Sequence, residues 1–387
     1  MDRLSGLCLN RTLLQRQHLL SPTSASVQAT VQSLIALQAQ DPQAPHFALW
    51  SRIDGYSPHD LDASLNSGEV VRMATFRSTV MLMTAIDAAQ YYPVATRALN
   101  AETRVHAAGL RGANEAAVTR TARRILTTQT LTATDLADKL TARFPESNGR
   151  ALVGVARCTL PLVQTPPRGL WQQSAPVSYR TFRGWVGSQP ATTNSRKRLT
   201  ELALRYVRAF GPSSVGAVQA WLGVTGLRDV IEAMAAKGAL RIYDDDGVTV
   251  YDDALADIAD PETPAPVRML APFDHAVVSN PHKERIVATA HYKEIGGKNA
   301  VFPGFVLVDG RVAATWRARA DKTRTPRADV AYITTVNRRG RAEVDIQCDR
   351  LNALLAQAET NRFDTDLIQG TSRSDIVENN EPHCRSD

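Results

Sequence analysis

Gln38 and Gln40 are the side chains whose type and spacing point most directly to chemistry in this sequence. Residues 27–37 before them place apolar side chains at helical spacing, and a proline two residues after Gln40 disfavours further helix. The pattern predicts a helix that closes near Ala39. Residues two apart on a helix point away from each other, whereas on extended backbone they share a face. Both amides can therefore face one site only if the helix ends here.

A polar helix end with two solvated glutamines is the simpler interpretation of the pair. Asp41 follows Gln40 directly and precedes a proline. We favour a turn or helix-end role for Asp41 over a role as general base, because aspartate in this position commonly hydrogen-bonds the backbone of a turn.

Four short segments occur in an order that resembles a known family. They read LQAQDP at 37–42, RST at 77–79, PFD at 272–274 and LVDGRVAATWR at 307–317. Over about residues 5–360, the chain resembles the AlkZ/YcaQ family of winged-helix DNA glycosylases, which excise bulky alkylated bases and unhook interstrand crosslinks. The Gln-x-Gln pair is similar to that of the AlkZ branch, whereas the YcaQ branch carries Gln-x-Asp. The resemblance implies that Gln38 and Gln40 are the catalytic residues.

Neutral amides suit a substrate that is already activated. Alkylation at purine N7 or N3 makes the base cationic, so the base departs as a neutral molecule and needs no strong general acid. A glutamine carbonyl can accept a hydrogen bond from the attacking water and set its dipole against the oxocarbenium-like sugar. An unmodified base should be a poor substrate, because it would lack protonation help worth roughly 10²–10⁴ in rate.

Arg77 and Thr79 form the second matched motif, on or beside the wing of the first module. Arg77 can hold a phosphate beside the lesion, since phosphate contacts fix register without reading sequence. A surface or core-capping arginine is the alternative. The family pattern is Arg-Gly-Thr followed by a Leu-His pair, and this chain has Ser78, Val80 and Met81 instead. The histidine of that element is therefore missing.

A third element resembles a His-x-Asp-Arg motif of the family, with Glu284 in place of the aspartate. The resemblance makes His282, Lys283 and Arg285 candidate DNA contacts. Lys283 and Arg285 are cations and would bind phosphates. An incidental loop histidine is the alternative for His282.

The formal net charge of +6 permits a polyanionic partner. Basic clusters occur at 120–124, 196–198, 317–327 and 338–341. One such cluster is usually a solvated face, but several of them favour a continuous DNA-facing surface. We therefore predict a DNA contact at Arg317. The loop at 296–299 has the composition of a hairpin tip, and its Lys298 and Asn299 suit contacts in a minor groove.

Several classes of protein are excluded by missing motifs. The four cysteines, Cys8, Cys158, Cys348 and Cys384, form no CxxC or Cys/His pair, and no HExxH, phosphate-binding loop or dinucleotide fingerprint occurs. We therefore predict no metal and no cofactor. No apolar run of about 18 residues and no signal-peptide layout occurs, so we predict a cytoplasmic protein with no membrane partner, associated with the nucleoid when on DNA.

Three segments repeat one pattern of three helices followed by two short strands, the winged helix-turn-helix. The sequence predicts an α+β protein: three such modules at 1–114, 115–193 and 194–260, then a β-rich domain at 267–369, arranged as a C shape around DNA. Residues 261–266 form a linker, and 370–387 a disordered tail. In the β-rich domain, strands are predicted at 267–270, 285–290, 305–308, 311–316 and 331–335, with a tight turn at 309–310 and a helix at 344–359.

The favoured function is a monofunctional DNA glycosylase that acts as a monomer on double-stranded DNA carrying N7- or N3-alkylated purines, in repair or in self-resistance to a DNA-alkylating natural product. A non-catalytic winged-helix DNA-binding protein or transcription regulator is the alternative; a regulator usually has one winged helix and reads a palindrome, and has no need of the glutamine pair. A bifunctional lyase needs an amine nucleophile, and no lysine lies in the first 138 residues.

Overall fold

The computed structural model describes residues 2–278, 280–296, 301–320 and 326–357. Helices and small sheets alternate along this part of the chain, so the predicted α+β class is confirmed. The predicted tail at 370–387 lies outside the described residues. Among the helices within these ranges, none has the length and apolar character needed to cross a membrane.

The first unit contains a short helix, a strand, two helices and a hairpin, flanked by an additional N-terminal segment and a long C-terminal helix. Its elements are β1 (Asp2–Arg3), α1 (Gly6–Arg16), α2 (Val27–Ser33), β2 (Leu37–Gln38), α3 (Ala44–Trp50), α4 (Pro58–Ser67), β3 (Val70–Ala74), β4 (Val80–Thr84) and α5 (Ala85–Ala107).

The second and third units follow the same plan. The second comprises α6 (Glu115–Thr128), β5 (Leu131–Thr132), α7 (Ala133–Arg143), α8 (Gly149–Thr159), β6 (Leu162–Gln164), β7 (Ser178–Thr181) and α9 (Phe182–Val186). The third comprises α10 (Arg196–Phe210), α11 (Val215–Leu222), α12 (Arg228–Ala236), β8 (Leu240–Asp245) and β9 (Val248–Asp253).

The three units share one strand order, as repeats of one architecture should. The first has the order β2-β4-β3 and the second β5-β7-β6, with the hairpin's second strand in the centre. In the third unit, a single β-bridge between Ser213 and Tyr251 of β9 occupies the position that the first strand has in the other two units. Pairing of β3 with β6 then joins the first two units into one six-stranded sheet.

The C-terminal part is a four-stranded antiparallel sheet covered by a helix. It contains β10 (Arg268–Leu270), α13 (Thr289–Gly296), β11 (Gly304–Val308), β12 (Arg311–Ala320), β13 (Pro326–Tyr332) and α14 (Arg338–Leu355). The predicted turn is present, with φ of +47° at Asp309 and +75° at Gly310. Positive φ at both positions is the geometry that a two-residue Asp-Gly hairpin requires.

The last predicted strand and helix are shifted towards the N-terminus, to Pro326–Tyr332 rather than 331–335 and to Arg338–Leu355 rather than 344–359. Two further sequence predictions are wrong. The helix before the glutamines ends at Ser33 rather than near Ala39, because Ile35 takes a left-handed φ of +68° and the next residues pair with β4 as a strand. The predicted strand at 285–290 is instead a short 3₁₀ turn, Lys283–Arg285, followed by α13. A short buried apolar run, here Ile286 and Val287, does not distinguish a strand from a buried turn.

Aromatic packing joins the first unit to the third. The ring of Phe76, at the turn between β3 and β4, lies 5.3 Å from that of Trp221 on α11. Tyr206 and Phe210 of α10 stack at 4.6 Å and surround the same indole. All four side chains are buried, and rings of this size bury 150–250 Å² each, so the cluster is a main source of stability between the two units.

A buried ion pair joins the first unit to the C-terminal part. Arg52 donates two hydrogen bonds, of 2.8 and 2.9 Å, to the carboxylate of Asp274, and both side chains are buried. Burial alone would raise the pKa of Asp274, but the Arg52 guanidinium outweighs it and holds the pKa below its usual value. Next to the pair, the ring of His275 lies 2.9 Å from the carbonyl oxygen of Ala36. Asp274 of the matched PFD segment therefore binds the first unit through Arg52, and the next residue, His275, supports the chain where it enters β2.

Candidate active site

Gln38 ends β2, the edge strand of the six-stranded sheet, and Gln40 lies two residues beyond it. Leu37 and Ala39 are buried, with 2% and 0% of their surface exposed, whereas Gln38 is half-buried and Gln40 is exposed. This alternation is the one expected of extended backbone, in which residues two apart share a face. The helix ends earlier than the sequence predicted, but the consequence for the two amides is the same.

The glutamine segment is an addition to the repeated architecture. In the second unit Thr132 ends β5 and its side chain caps α7, and in the third Ser214 caps α11 directly after the bridging residue. In the first unit, residues 39–43 separate β2 from α3. Gln40 lies in this extra segment, so the fold of the repeat does not require it.

Each peptide beside Ala39 is held by a hydrogen bond. The Ala39 N–H donates to the carbonyl oxygen of Val80 at 2.9 Å, and the Ala39 carbonyl accepts from Nη2 of Arg72 at 3.0 Å. The side chain of Gln40 is bound to the same strand edge, because the Val80 N–H donates to its Oε1 at 3.4 Å. The backbone beneath both amides is therefore fixed by β3 and β4.

Asp41 forms the turn that the sequence predicted for it. Its carboxylate accepts from the N–H of Gln43 at 2.8 Å, and its carbonyl accepts from the N–H of Ala44 at 3.3 Å. Burial raises the pKa of Asp41, and the Gln43 hydrogen bond and the charge of Arg72 act in the opposite direction. These contacts account for an aspartate at this position without a catalytic role.

The loop between β6 and β7 packs against the first unit next to the glutamine segment. His46 on α3 is buried, its Nε2 lies 3.0 Å from the carbonyl oxygen of Gly169, and its Nδ1 lies 2.9 Å from the hydroxyl of Tyr56. Gln43 donates to the carbonyl of Leu170 at 2.9 Å. Burial lowers the pKa of His46 to about 4, so the imidazole is neutral at pH 7. Both ring nitrogens are satisfied if Nε2 carries the proton and Nδ1 accepts from Tyr56.

Comparison with known proteins identifies the family of this chain. The sequence profile of a family described as DNA glycosylase AlkZ-like matches residues 31–354. The chain belongs to the AlkZ-like DNA glycosylase family. A search of curated proteins found no match. Among solved structures, the Streptomyces sahachiroi DNA glycosylase AlkZ is similar in fold, with a TM-score of 0.72 at 18% identity, over 92% of this chain and 96% of that one.

Membership of this family makes the protein an enzyme, a DNA glycosylase, and sets aside the alternative of a non-catalytic regulator. The resemblance in the four short segments is likewise confirmed at the level of the family. Neither comparison assigns roles to individual residues. The role of each predicted site residue therefore rests on where the structure places it.

Arg77 and Thr79 lie in the turn between β3 and β4, the wing of the first unit. The guanidinium of Arg77 donates to the carbonyl oxygen of Trp221 and lies 5.8 Å from its ring centroid, so Arg77 faces the third unit of the glycosylase. Burial lowers its pKa. The backbone has a left-handed φ at both Arg77 and Ser78, and the Ser78 hydroxyl donates to Glu102 on α5. These contacts fit the core-capping alternative for Arg77.

The residues matched to the third motif are bound within the protein. Nε2 of His282 accepts from the N–H of Ser214 at 3.2 Å, and the ammonium of Lys283 lies 4.9 Å from the ring centroid of Tyr292. Arg285 is buried. It donates to the carbonyl of Pro212 at 2.6 Å and to Asp245 at 2.8 Å. The element thus joins the C-terminal part to the third unit.

Arg317 is exposed on β12, opposite Asp329 of β13. Its neighbour two positions on, Arg319, is also exposed and pairs with Asp329 at 3.2 Å. This face remains a predicted DNA contact. Lys298 and Asn299 lie outside the described residues.

Arg72, which sequence reasoning did not single out, is the main new feature of the site. It lies in the strand Val-Val-Arg-Met-Ala, in which every residue is buried. The sequence feature that could have pointed to Arg72 is a single cation inside an otherwise apolar strand, because arginine is rarely buried without a specific partner. His46 gave no such signal, since an isolated histidine on an apolar helix is most often a core residue.

The described residues do bring one potential metal-ligating group together, on α5 and α8. The ligand atoms of Glu102, His106 and Cys158 lie within 4.8 Å of one another. Glu102, however, is ion-paired with Arg157 and accepts from the Ser78 hydroxyl. A cation would have to displace or oppose the guanidinium, so these residues fit an internal ion-pair network better than a metal.

Proposed function

We propose that this glycosylase is monofunctional and hydrolyses the N-glycosidic bond of purines alkylated at N7 or N3, with Gln38 and Gln40 as its catalytic residues. The proposal rests chiefly on one observation. In a member of the family, two neutral amides flank the buried Ala39 on extended backbone, and the second of them, Gln40, lies in a segment that the repeated architecture does not require.

The choice of substrate follows from the leaving group. A purine alkylated at N7 or N3 is cationic, and bond cleavage releases it as a neutral base. The bonding electron pair leaves with the base, so positive charge develops on the sugar, which becomes oxocarbenium-like. An amide carbonyl stabilises that cation with its dipole and accepts a hydrogen bond from the attacking water, and it needs no change of protonation state to do so.

Water adds to a sugar that already carries positive charge, and the protonated hydroxyl that forms releases its proton to solvent water, so no strong base is needed in this scheme. Asp41 is engaged in a turn with Gln43, and His46 is buried with both ring nitrogens engaged. A lyase step needs an amine that attacks the sugar. The glutamine segment lies among the first 138 residues, which contain no lysine, and this favours hydrolysis by water alone.

The partner in this proposal is double-stranded DNA, bound by a single copy of the chain. Exposed basic residues on separate units, including Arg120, Arg196 and Arg338, supply phosphate contacts that do not read sequence. Interstrand crosslinks at N7 of guanine share the cationic chemistry of the monoadducts, so we include their unhooking. Action in the cytoplasm, on the nucleoid, follows from this substrate.

Incubation with duplexes that carry one defined N7-alkylguanine tests the proposal. We expect release of the alkylated base and an abasic site, seen as strand cleavage only after alkaline treatment. Parallel duplexes with unmodified guanine should remain intact. Strand cleavage without alkali would indicate a lyase, and equal release of unmodified guanine would contradict the role assigned to substrate charge.

A further inference from the structure

Arg72 holds the peptide that joins the two catalytic candidates. We propose that Arg72 is a positioning residue for the excision reaction, which orients Gln40 through the Ala39 carbonyl and does not touch the substrate. This inference rests on the proposed catalytic role of the glutamine pair.

The peptide between Ala39 and Gln40 lies beyond the last residue of β2. The preceding peptide is held by the sheet, because the Ala39 N–H donates to Val80 at 2.9 Å. The Ala39 carbonyl instead accepts from Nη2 of Arg72 at 3.0 Å, from a strand that is not adjacent to β2. Arg72 therefore supplies a hydrogen bond to the glutamine segment from beneath the sheet edge.

The guanidinium is itself held in place from the second unit. Nη1 of Arg72 donates to the carbonyl of Arg168 at 3.0 Å, in the loop between β6 and β7. The next residue, Gly169, has a φ of +99°, and a Cβ there would lie 2.9 Å from both Cδ and Nη1 of Arg72. The backbone of the second unit thus approaches the guanidinium closely enough to require glycine. One planar group connects this loop to the glutamine segment.

The partners of Arg72 are unusual for a buried cation. Only 1% of its surface is exposed, and its hydrogen bonds go to two carbonyl oxygens rather than to a carboxylate. Burial and the charge of Arg168 lower its pKa to about 9, while Asp41 raises it. Packing alone would be served by an apolar residue at lower desolvation cost. The two carbonyl groups that Arg72 orients explain why a cation occupies this buried position.

A double-mutant cycle distinguishes positioning from general structural support. Arg72→Met keeps the approximate length of the side chain and removes its donors, and we expect single-turnover excision to fall by about 10–100-fold, the scale of a displacement of about 1 Å. In a Gln40→Ala background the same substitution should cost little more, because the group that it orients is gone. Affinity for lesion-containing DNA should stay unchanged in all variants.

Arg11→Met is the matched control. Arg11 is also buried, and it donates to the carbonyl of Thr263 at 2.7 Å and pairs with Asp309 at 2.5 Å, so its loss should lower thermal stability without slowing excision. Arg72→Lys, which keeps the charge but cannot span both carbonyls with a planar fork, should excise at an intermediate rate. If Arg72→Met does not fold, Arg72→Lys is the variant that tests the positioning role.

Two outcomes separate the inference from the function on which it rests. Equal fold-losses for Arg72→Met in the parental and Gln40→Ala backgrounds would overturn the positioning role, as would a parental excision rate in both Arg72 variants. If Gln40→Ala itself excises at the parental rate, the proposed function fails first. Loss of excision in Gln40→Ala together with full activity in Arg72→Met refutes only the inference.

Discussion

Acid should destabilise the folded enzyme through His46. In the unfolded chain this imidazole has a pKa near 6.5, whereas burial lowers its pKa to about 4 in the folded state. Below pH 6.5 the unfolded chain therefore binds a proton that the folded chain does not bind until pH about 4. The free energy of unfolding falls through this window, by about 1.4 kcal/mol for each pH unit, or about 2 kcal/mol from pH 6.5 to 5.

The perturbation is His46→Gln, which keeps a donor for the Gly169 carbonyl and removes the titrating group. Urea unfolding at pH 7 and pH 5, followed by tryptophan fluorescence, reports on the site because the Trp171 ring lies 5.1 Å from His46. The variant will be less stable than the parent at pH 7, but its loss between the two pH values should be smaller by about 2 kcal/mol. His59→Gln, at an exposed position on α4, is the control and should keep the full pH dependence. An unchanged pH dependence in His46→Gln would refute the reasoning.

Three further outcomes follow. Asp274→Asn leaves Arg52 buried without its counterion and should lower the free energy of unfolding by about 3–5 kcal/mol, measured by urea unfolding at pH 7; a loss under 1 kcal/mol would show that the pair contributes little. Excision should be unaffected by EDTA, because the proposed mechanism assigns water activation to two amides; loss of activity with EDTA, restored by a divalent ion, would contradict it. Binding to undamaged duplexes should weaken steeply with salt and show no sequence preference in a titration from 50 to 200 mM salt, whereas strong selection of one palindrome would contradict the phosphate-contact model.

Much of the repeated architecture was predictable from local signals. The ends of α10 and α11 are encoded in the sequence next to them, because Ser195 and Ser214 cap the two helices and Gly211 and Gly223 end them. The Asp-Gly pair predicted the tight turn at 309–310, because these residue types accept the positive φ that the turn requires. Where the chain itself carries caps and turn residues, helix ends are fixed locally.

The glutamine segment departed from prediction because its conformation depends on distant partners. Residues 34–37 keep a helical apolar pattern, yet Leu37 pairs with Leu82 on β4. The support from Arg72 and from the loop at 165–173 joins parts of the chain about 100 residues apart, which no local pattern encodes. Arg77 and Arg285 show the same limit, since their charges suggested phosphate contacts and the fold surrounds them with internal acceptors.

The central claim is that two neutral amides carry the chemistry of excision. Single-turnover release of an N7-alkylguanine, measured at saturating enzyme for the parental chain, Gln38→Ala and Gln40→Ala, tests it most directly. Each variant should unfold at nearly the parental temperature, bind the duplex with nearly parental affinity, and excise about 10–10³-fold more slowly, the scale of losing one preorganised polar contact. Gln40→Asp should retain activity on the cationic lesion, because a carboxylate can also polarise water. Parental excision rates in both folded alanine variants would contradict the claim and leave the glutamines as a solvated strand end.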